Sequence, residues 1–153
     1  MYTFKLQAAL DHRQFVEDNL KKELAEIRQR LMAARAHLES LISKETNTAA
    51  AMKKDQAKGM SSDQVVVYQA YFNRLADRIA TQKMVILGIE EQETSKQGEL
   101  RAAMKKRQIL GKLKDQGCDR YNQMELKKEM KFIDQIAVNQ FVRKTIYTRG
   151  DGQ

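Results

Sequence analysis

Apolar residues recur at alternating intervals of three and four along two long stretches of the chain, one on each side of a Gly/Ser-containing turn. The first stretch covers residues 4–57 and the second resumes at Tyr68. This spacing is the heptad pattern of a coiled-coil helix, and no proline occurs in the sequence to interrupt it. The pattern therefore predicts an all-α, coiled-coil protein.

The turn between the two stretches has the residues that end one helix and begin another. Gly59 suits the left-handed backbone conformation that follows a helix, and Ser61 with Gln64 has the spacing of a capping box. The sequence thus predicts a single helical domain at residues 1–147, made of a helix over 3–57, a turn at 58–63 and a helix over 64–147 with a candidate break near 117, followed by a disordered tail at 148–153.

The two heptad patterns can be laid against each other as an antiparallel pair. They agree when facing residue numbers add up to 120, as for Ala34 with Ile86 and Leu31 with Ile89, which centres the pairing inside the turn. Two patterns phased separately and the turn chemistry therefore predict one antiparallel hairpin. The same register sets Glu93 and Lys96 against buried apolar positions, so we expect a polar layer that lowers stability while fixing the register.

The second helix is longer than the first and overhangs it. No residues remain in the first helix to face positions beyond about 116, yet apolar residues continue to Ile146 on more than one side of the second helix. Such a surface has to be covered. The sequence leaves open whether a partner protein covers it, a second copy of the chain covers it, or the segment is disordered until it binds.

Positive charge is concentrated in the last third of the chain. The net charge is +8, and residues 101–153 contribute +7 of it, with 13 Lys/Arg against 6 Asp/Glu. Nucleic acid, anionic lipid and acidic protein surfaces all attract such a segment. No aromatic residues are interleaved with the basic run at 101–114 for base stacking, so we expect no nucleic-acid partner.

The sequence offers no recognisable catalytic or metal-binding constellation. Cys118 is the sole cysteine, which is typical of a chain from a reducing compartment without disulfides. His12 and His37 are far apart, and neither a phosphate-binding glycine loop nor a membrane-spanning apolar stretch is present. We therefore expect no enzymatic activity, no metal and no cofactor.

Three segments in order resemble a known family. The chain begins its first helix with F-x-L at Phe4, carries Y-x-x-Y-F-x-x-L-x-x-x-I over residues 68–79 after the turn, and ends with ELKKEMKFIDQIAVNQF over residues 125–141. Together they resemble the FliJ family of flagellar type III export. The resemblance implies a cytoplasmic hairpin, similar to the central stalk of a rotary ATPase, at the membrane face of the export apparatus.

The resemblance also implies partners and surfaces. Family members bind and promote the hexameric export ATPase, contact the cytoplasmic domain of the export gate and handle export chaperones. On this chain the gate-binding residues would be His37, Leu41, Tyr71, Leu75, Arg78 and Gln82. The ATPase-binding residues would be Arg101, Lys105, Arg107, Glu125, Lys128, Met130, Ile133, Asp134, Ala137 and Phe141.

Other functions remain alternatives to this one. The chain could be the corresponding stalk protein of a virulence type III secretion system. It could also be a self-assembling structural coiled coil, or a basic helical binder of nucleic acid or lipid.

Overall fold

The chain forms two α-helices in the computed structural model, α1 over Gln7–Lys58 and α2 over Ser62–Gly150. The structure describes residues 1–150, with side chains as far as Ile146, and this part contains no strand. The prediction of an all-α fold with a longer second helix is confirmed. α2 is continuous through residue 117 and extends to Gly150, so residues 148–150 of the predicted tail are helical. Residues 151–153 of that tail lie outside the described residues.

The reversal between the helices follows the predicted turn chemistry. Gly59 adopts a φ of 92°, in the left-handed region that glycine tolerates. The capping box is present in both directions: the Gln64 amide donates to Ser61 Oγ at 3.3 Å, and the Ser61 amide donates to Gln64 Oε1 at 3.1 Å. These bonds satisfy two backbone donors at the start of α2 and define where that helix begins.

Two compact units make up the chain. One, here called the turn unit, is Gln14–Met104, and the other, the terminal unit, is Met1–Arg13 with Lys105–Gln153. In the turn unit Leu31, Ala34 and Ile86 are buried together, with Leu38 and Ile89 packed against them. These residues come from both helices at the positions that the heptad register paired, so α1 and α2 pack against each other as predicted.

Ion pairs between the two helices accommodate the polar layer of the turn unit. Arg28 Nε lies 2.8 Å from Glu93, and Lys96 Nζ lies 2.8 Å from Glu23. Hydrogen bonds to Glu23 and then Glu99 raise the pKa of Lys96 above its usual value. The charged groups of Glu93 and Lys96 thus reach partners at the sides of the apolar interface between α1 and α2, while Leu24 and Ile27 stay only 6% exposed.

Two positions differ from what the heptad pattern of the first stretch predicts. Leu6 lies four residues before Leu10 in the apolar spacing of the first stretch, yet it is 47% exposed, because it precedes the first residue of α1, where the heptad phase does not yet apply. Glu17 is a charged residue within the first apolar stretch, yet it is only 2% exposed, and its Oε1 lies 2.7 Å from Lys21 Nζ. The ion pair with Lys21 one turn later explains how this carboxylate is tolerated there.

No helix in the described part of the chain is both long and apolar enough to span a bilayer.

Candidate docking surfaces

A groove of about 340 Å³ runs between α1 and α2 in the turn unit. Its lining contains four of the six residues predicted to bind the export gate. The full lining is His37, Leu41, Asp77, Arg78, Thr81 and Gln82. Asp77 and Thr81 were missed by sequence reasoning, although their spacing of four from each other places them on one face of a helix.

The six predicted gate residues fall into different environments. Leu41 and Leu75 are each 2% exposed, so they hold the two helices together beneath the surface. Gln82 is half buried, and its side-chain amide donates to the Ala34 carbonyl oxygen at 2.9 Å. Only His37, Tyr71 and Arg78 present exposed side chains, which makes them the members of the set that a partner can reach directly.

The exposed part of this groove is polar. Arg78 and Asp77 form no ion pair with any described residue of the chain. The Thr81 hydroxyl donates back to the Asp77 carbonyl oxygen at 2.9 Å, a common arrangement within helices. The groove therefore offers one cation and one anion that a partner could pair with, above an apolar floor.

A second groove, of about 520 Å³, lies closer to the turn. It is lined by Thr48, Asp55, Asp63, Gln64, Val67, Tyr68, Tyr71 and Arg74. Tyr71, one of the predicted gate-binding residues, is 37% exposed here. The spacing of Val67, Tyr71 and Arg74 at intervals of four and three is the signal that would have placed them on one helix face.

A hydrogen bond between the helices spans this second groove. The Tyr68 hydroxyl donates to Asp55 Oδ2 at 2.6 Å, and this bond to the carboxylate is the main cause of a raised pKa for Tyr68. The tip of the turn unit thus combines an apolar surface with a charge-assisted hydrogen bond.

The C-terminal part of α2, in the terminal unit, is exposed as the sequence predicted. Met130, Ile133 and Phe141 are 65%, 63% and 71% exposed, and Asp134 and Ala137 are exposed beside them. Phe132 and Val138, on other sides of the helix, are 65% and 60% exposed. Apolar surface therefore surrounds this segment, and no part of the described chain covers it.

The charged residues predicted to bind the ATPase are distributed over both units. Arg101 is exposed in the turn unit, whereas Lys105 is exposed and Arg107 half buried in the terminal unit. Glu125 lies 2.8 Å from Lys128 Nζ one turn later, and this hydrogen bond raises the pKa of Lys128. This ion pair therefore joins two members of the predicted set.

Among the described residues, no group of three or more His, Cys, Asp and Glu side chains is arranged to hold a metal ion. Cys118 is half buried, and its sulfur accepts a weak hydrogen bond from the Asn122 side chain at 3.8 Å.

In a comparison with protein families, the family described as flagellar FliJ protein matches residues 2–145. No curated protein and no solved structure matches the chain.

Proposed function

This chain belongs to the FliJ family of flagellar proteins, and on that premise we propose that it is a non-enzymatic stalk protein of flagellar type III export. In this role it binds the hexameric export ATPase, promotes its activity and couples it to the cytoplasmic domain of the export gate. Handling of export chaperones is part of the same proposal. Membership of a flagellar family supports the flagellar apparatus over a virulence secretion system.

The exposed apolar segment of α2 is the observation that carries the ATPase part of the proposal. Monomeric proteins rarely leave a contiguous surface of large apolar side chains in water, and such surfaces commonly mark binding sites for other proteins. Met130, Ile133 and Phe141 are each more than 60% exposed, so a partner can bury them without unfolding any part of this chain. A helix presented to a groove is a common way for one protein to bind another.

The groove in the turn unit supports the gate part of the proposal. It combines the exposed side chains of His37 and Arg78 with the buried floor of Leu41. Tyr71 extends the apolar surface toward the turn, and aromatic residues with a polar tip are frequent anchors of protein interfaces. The ATPase thus binds the terminal unit in this proposal and the gate binds the turn unit, with Arg101 as the member of the predicted ATPase set that lies in the turn unit.

ATP hydrolysis by the cognate export ATPase, with and without this protein, tests the central claim. We expect the wild-type chain to raise the rate and the triple variant Met130→Ser, Ile133→Ser, Phe141→Ser to lose this effect. The matched control is the double variant Met32→Ser, Met84→Ser, which removes two apolar side chains that are 71% and 67% exposed in the turn unit. Circular dichroism should show the same helix content in all three proteins.

The proposal is wrong if the wild-type chain neither associates with the ATPase nor changes its rate. Sedimentation tests the alternative that a second copy covers the exposed segment. A dimer at micromolar concentration that the triple variant converts to monomer would support self-assembly instead.

A further inference from the structure

Residues 1–6 precede α1 and lie against α2 in the terminal unit. The nitrogen of Met1 donates to the Tyr121 hydroxyl at 2.9 Å, and the rings of Tyr2 and Tyr121 lie 5.9 Å apart at an angle of 45°. That separation is within the range of favourable aromatic pairs. At its other end the segment is tied to α1 by a 3.1 Å bond from the Gln7 amide to the Phe4 carbonyl oxygen. The segment is therefore held at both ends.

Gly117 allows this close approach. A Cβ atom added at this position would collide with the Tyr2 hydroxyl and would lie 2.7 Å from its Cζ. At Gly88, Gly98 and Gly111, which lie in the same helix, an added Cβ would meet no atom within 4 Å. Glycine is unfavourable inside a helix. Of these four glycines of α2, Gly117 is the one whose missing side chain makes room for another residue.

The contact lies where α2 loses its cover. Tyr2, Gly117 and Tyr121 are all half buried, whereas every side chain over residues 126–146 is exposed. The Tyr2 contact is therefore close to the last point at which another part of the chain supports α2.

We propose that Tyr2 and Gly117 form a clasp that immobilises the root of the exposed segment and so holds it ready for its partner. A binding surface that is already ordered loses less conformational freedom on association, so the clasp strengthens binding without touching the partner. Tyr2 and Gly117 are positioning residues in this proposal. The contact itself concerns this chain alone. Its effect on binding rests on the proposed function, because it takes the partner to be the export ATPase.

Cys118 is a natural reporter of the clasp, because it is the sole cysteine, is half buried and follows Gly117 directly. Under native conditions we expect a thiol reagent to label Cys118 several-fold faster in Gly117→Ala and in Tyr2→Ala than in the wild type. Gly111→Ala is the matched control and should not speed labelling. Tyr2→Phe removes the hydroxyl that lies against Gly117 but keeps the ring beside Tyr121, so its labelling rate should fall between those of the wild type and Tyr2→Ala.

A coupling test separates the clasp from general loosening of α2. Alanine strengthens a helix relative to glycine, so faster labelling in Gly117→Ala cannot come from a weaker helix. Because both substitutions break the same contact, Gly117→Ala should not speed labelling further when Tyr2 is already Ala. Equal rates in the wild type and both single variants, or independent effects in the double variant, would overturn the clasp.

ATPase assays test whether the clasp strengthens binding to the partner. We expect Tyr2→Ala and Gly117→Ala to raise the concentration of this protein needed for half-maximal stimulation, with maximal stimulation unchanged, since the residues that bind are intact. Faster labelling with an unchanged half-maximal concentration would overturn the positioning role. If the wild type fails to stimulate the ATPase at all, the proposed function is wrong, while the labelling rates still decide whether the clasp exists.

Discussion

The Tyr68 hydroxyl donates a 2.6 Å hydrogen bond to Asp55 Oδ2 and thereby joins α2 to α1 beside the turn. The carboxylate stabilises the neutral phenol, so the pKa of Tyr68 is raised in the folded chain. A group whose pKa is higher in the folded than in the unfolded state contributes stability below its unfolded pKa, which is about 10 for tyrosine. That contribution is lost as the pH rises through the folded pKa, so the bond is sensitive to alkali.

Replacing Tyr68 by Phe should lower the free energy of unfolding at neutral pH, because Asp55 loses its donor. The difference from the wild type should shrink above about pH 10, where the wild-type phenol begins to ionise. Urea denaturation followed by circular dichroism between pH 7 and pH 11 measures this difference. Tyr71→Phe is the control and should match the wild type throughout, and a gap that stays constant to the highest pH would contradict the prediction.

Leu41→Ala and Leu75→Ala should each destabilise the chain by about 2–5 kcal/mol, because each removes a fully buried side chain and leaves a cavity. Both leucines are 2% exposed. Met32→Ala, at a residue that is 71% exposed, should change stability by less than about 0.5 kcal/mol. Urea denaturation of the three variants checks these values, and a small effect of either Leu→Ala change would show that the pairing is loose at that layer.

Tyr71→Ala should weaken gate binding without weakening the fold, in contrast to Leu75→Ala. Tyr71 is 37% exposed beside the groove, so its ring is available to a partner. Truncation of an aromatic anchor at an interface commonly costs about 2 kcal/mol or more of binding free energy. Calorimetric titration with the cytoplasmic domain of the gate measures the affinity, and thermal unfolding serves as the control. Unchanged affinity would place the gate contact elsewhere.

Replacing each of two glycines by alanine should change the free energy of unfolding in opposite directions. Gly59→Ala places a side chain in the left-handed region and should cost about 1–2 kcal/mol. Gly88→Ala adds a methyl group in open space within α2 and should stabilise the chain by about 1 kcal/mol. Thermal unfolding of both variants, compared with the wild type, distinguishes the two effects. Equal shifts would mean that the turn does not require glycine.

The polar layer of Glu93 and Lys96 allows a test of whether ion pairs or apolar packing stabilise the pairing of α1 and α2 more. Changing Glu93 and Lys96 together to Leu should raise the urea midpoint, since apolar residues would then face Leu24 and Ile27. The former partners Arg28 and Glu23 are more than half exposed, so water can solvate the charges left behind. A lower midpoint would show that the ion pairs stabilise the pairing more than apolar packing would.

Much of the fold could be predicted because its determinants are local and periodic. Ala34 and Ile86 could be paired from heptad phase alone, and the capping box of Ser61 and Gln64 follows from two residues at fixed spacing. The grooves could not be predicted in the same way. The Tyr68 to Asp55 hydrogen bond depends on where two side chains meet between helices, which periodicity does not specify.

Gly117 is a second feature whose structural role could not be predicted from the local sequence. In the sequence it is a residue that weakens helices, and so it marked a candidate break. In the structure the helix continues, and the glycine makes room for Tyr2, a residue more than a hundred positions away in the chain. The meaning of a glycine depends on what lies opposite it, and no local pattern contains that information.

The exposed apolar residues at 126–146 also bear on how long an unbound copy survives in a cell. Chaperones and proteases act continuously on the fraction of each protein that is unfolded. A folded helix that displays Phe132, Phe141 and Ile146 to water shows these quality-control systems much of what an unfolded chain would show. We therefore expect unbound copies to be degraded and bound copies to persist, so that the supply of partner sets the cellular abundance of this protein.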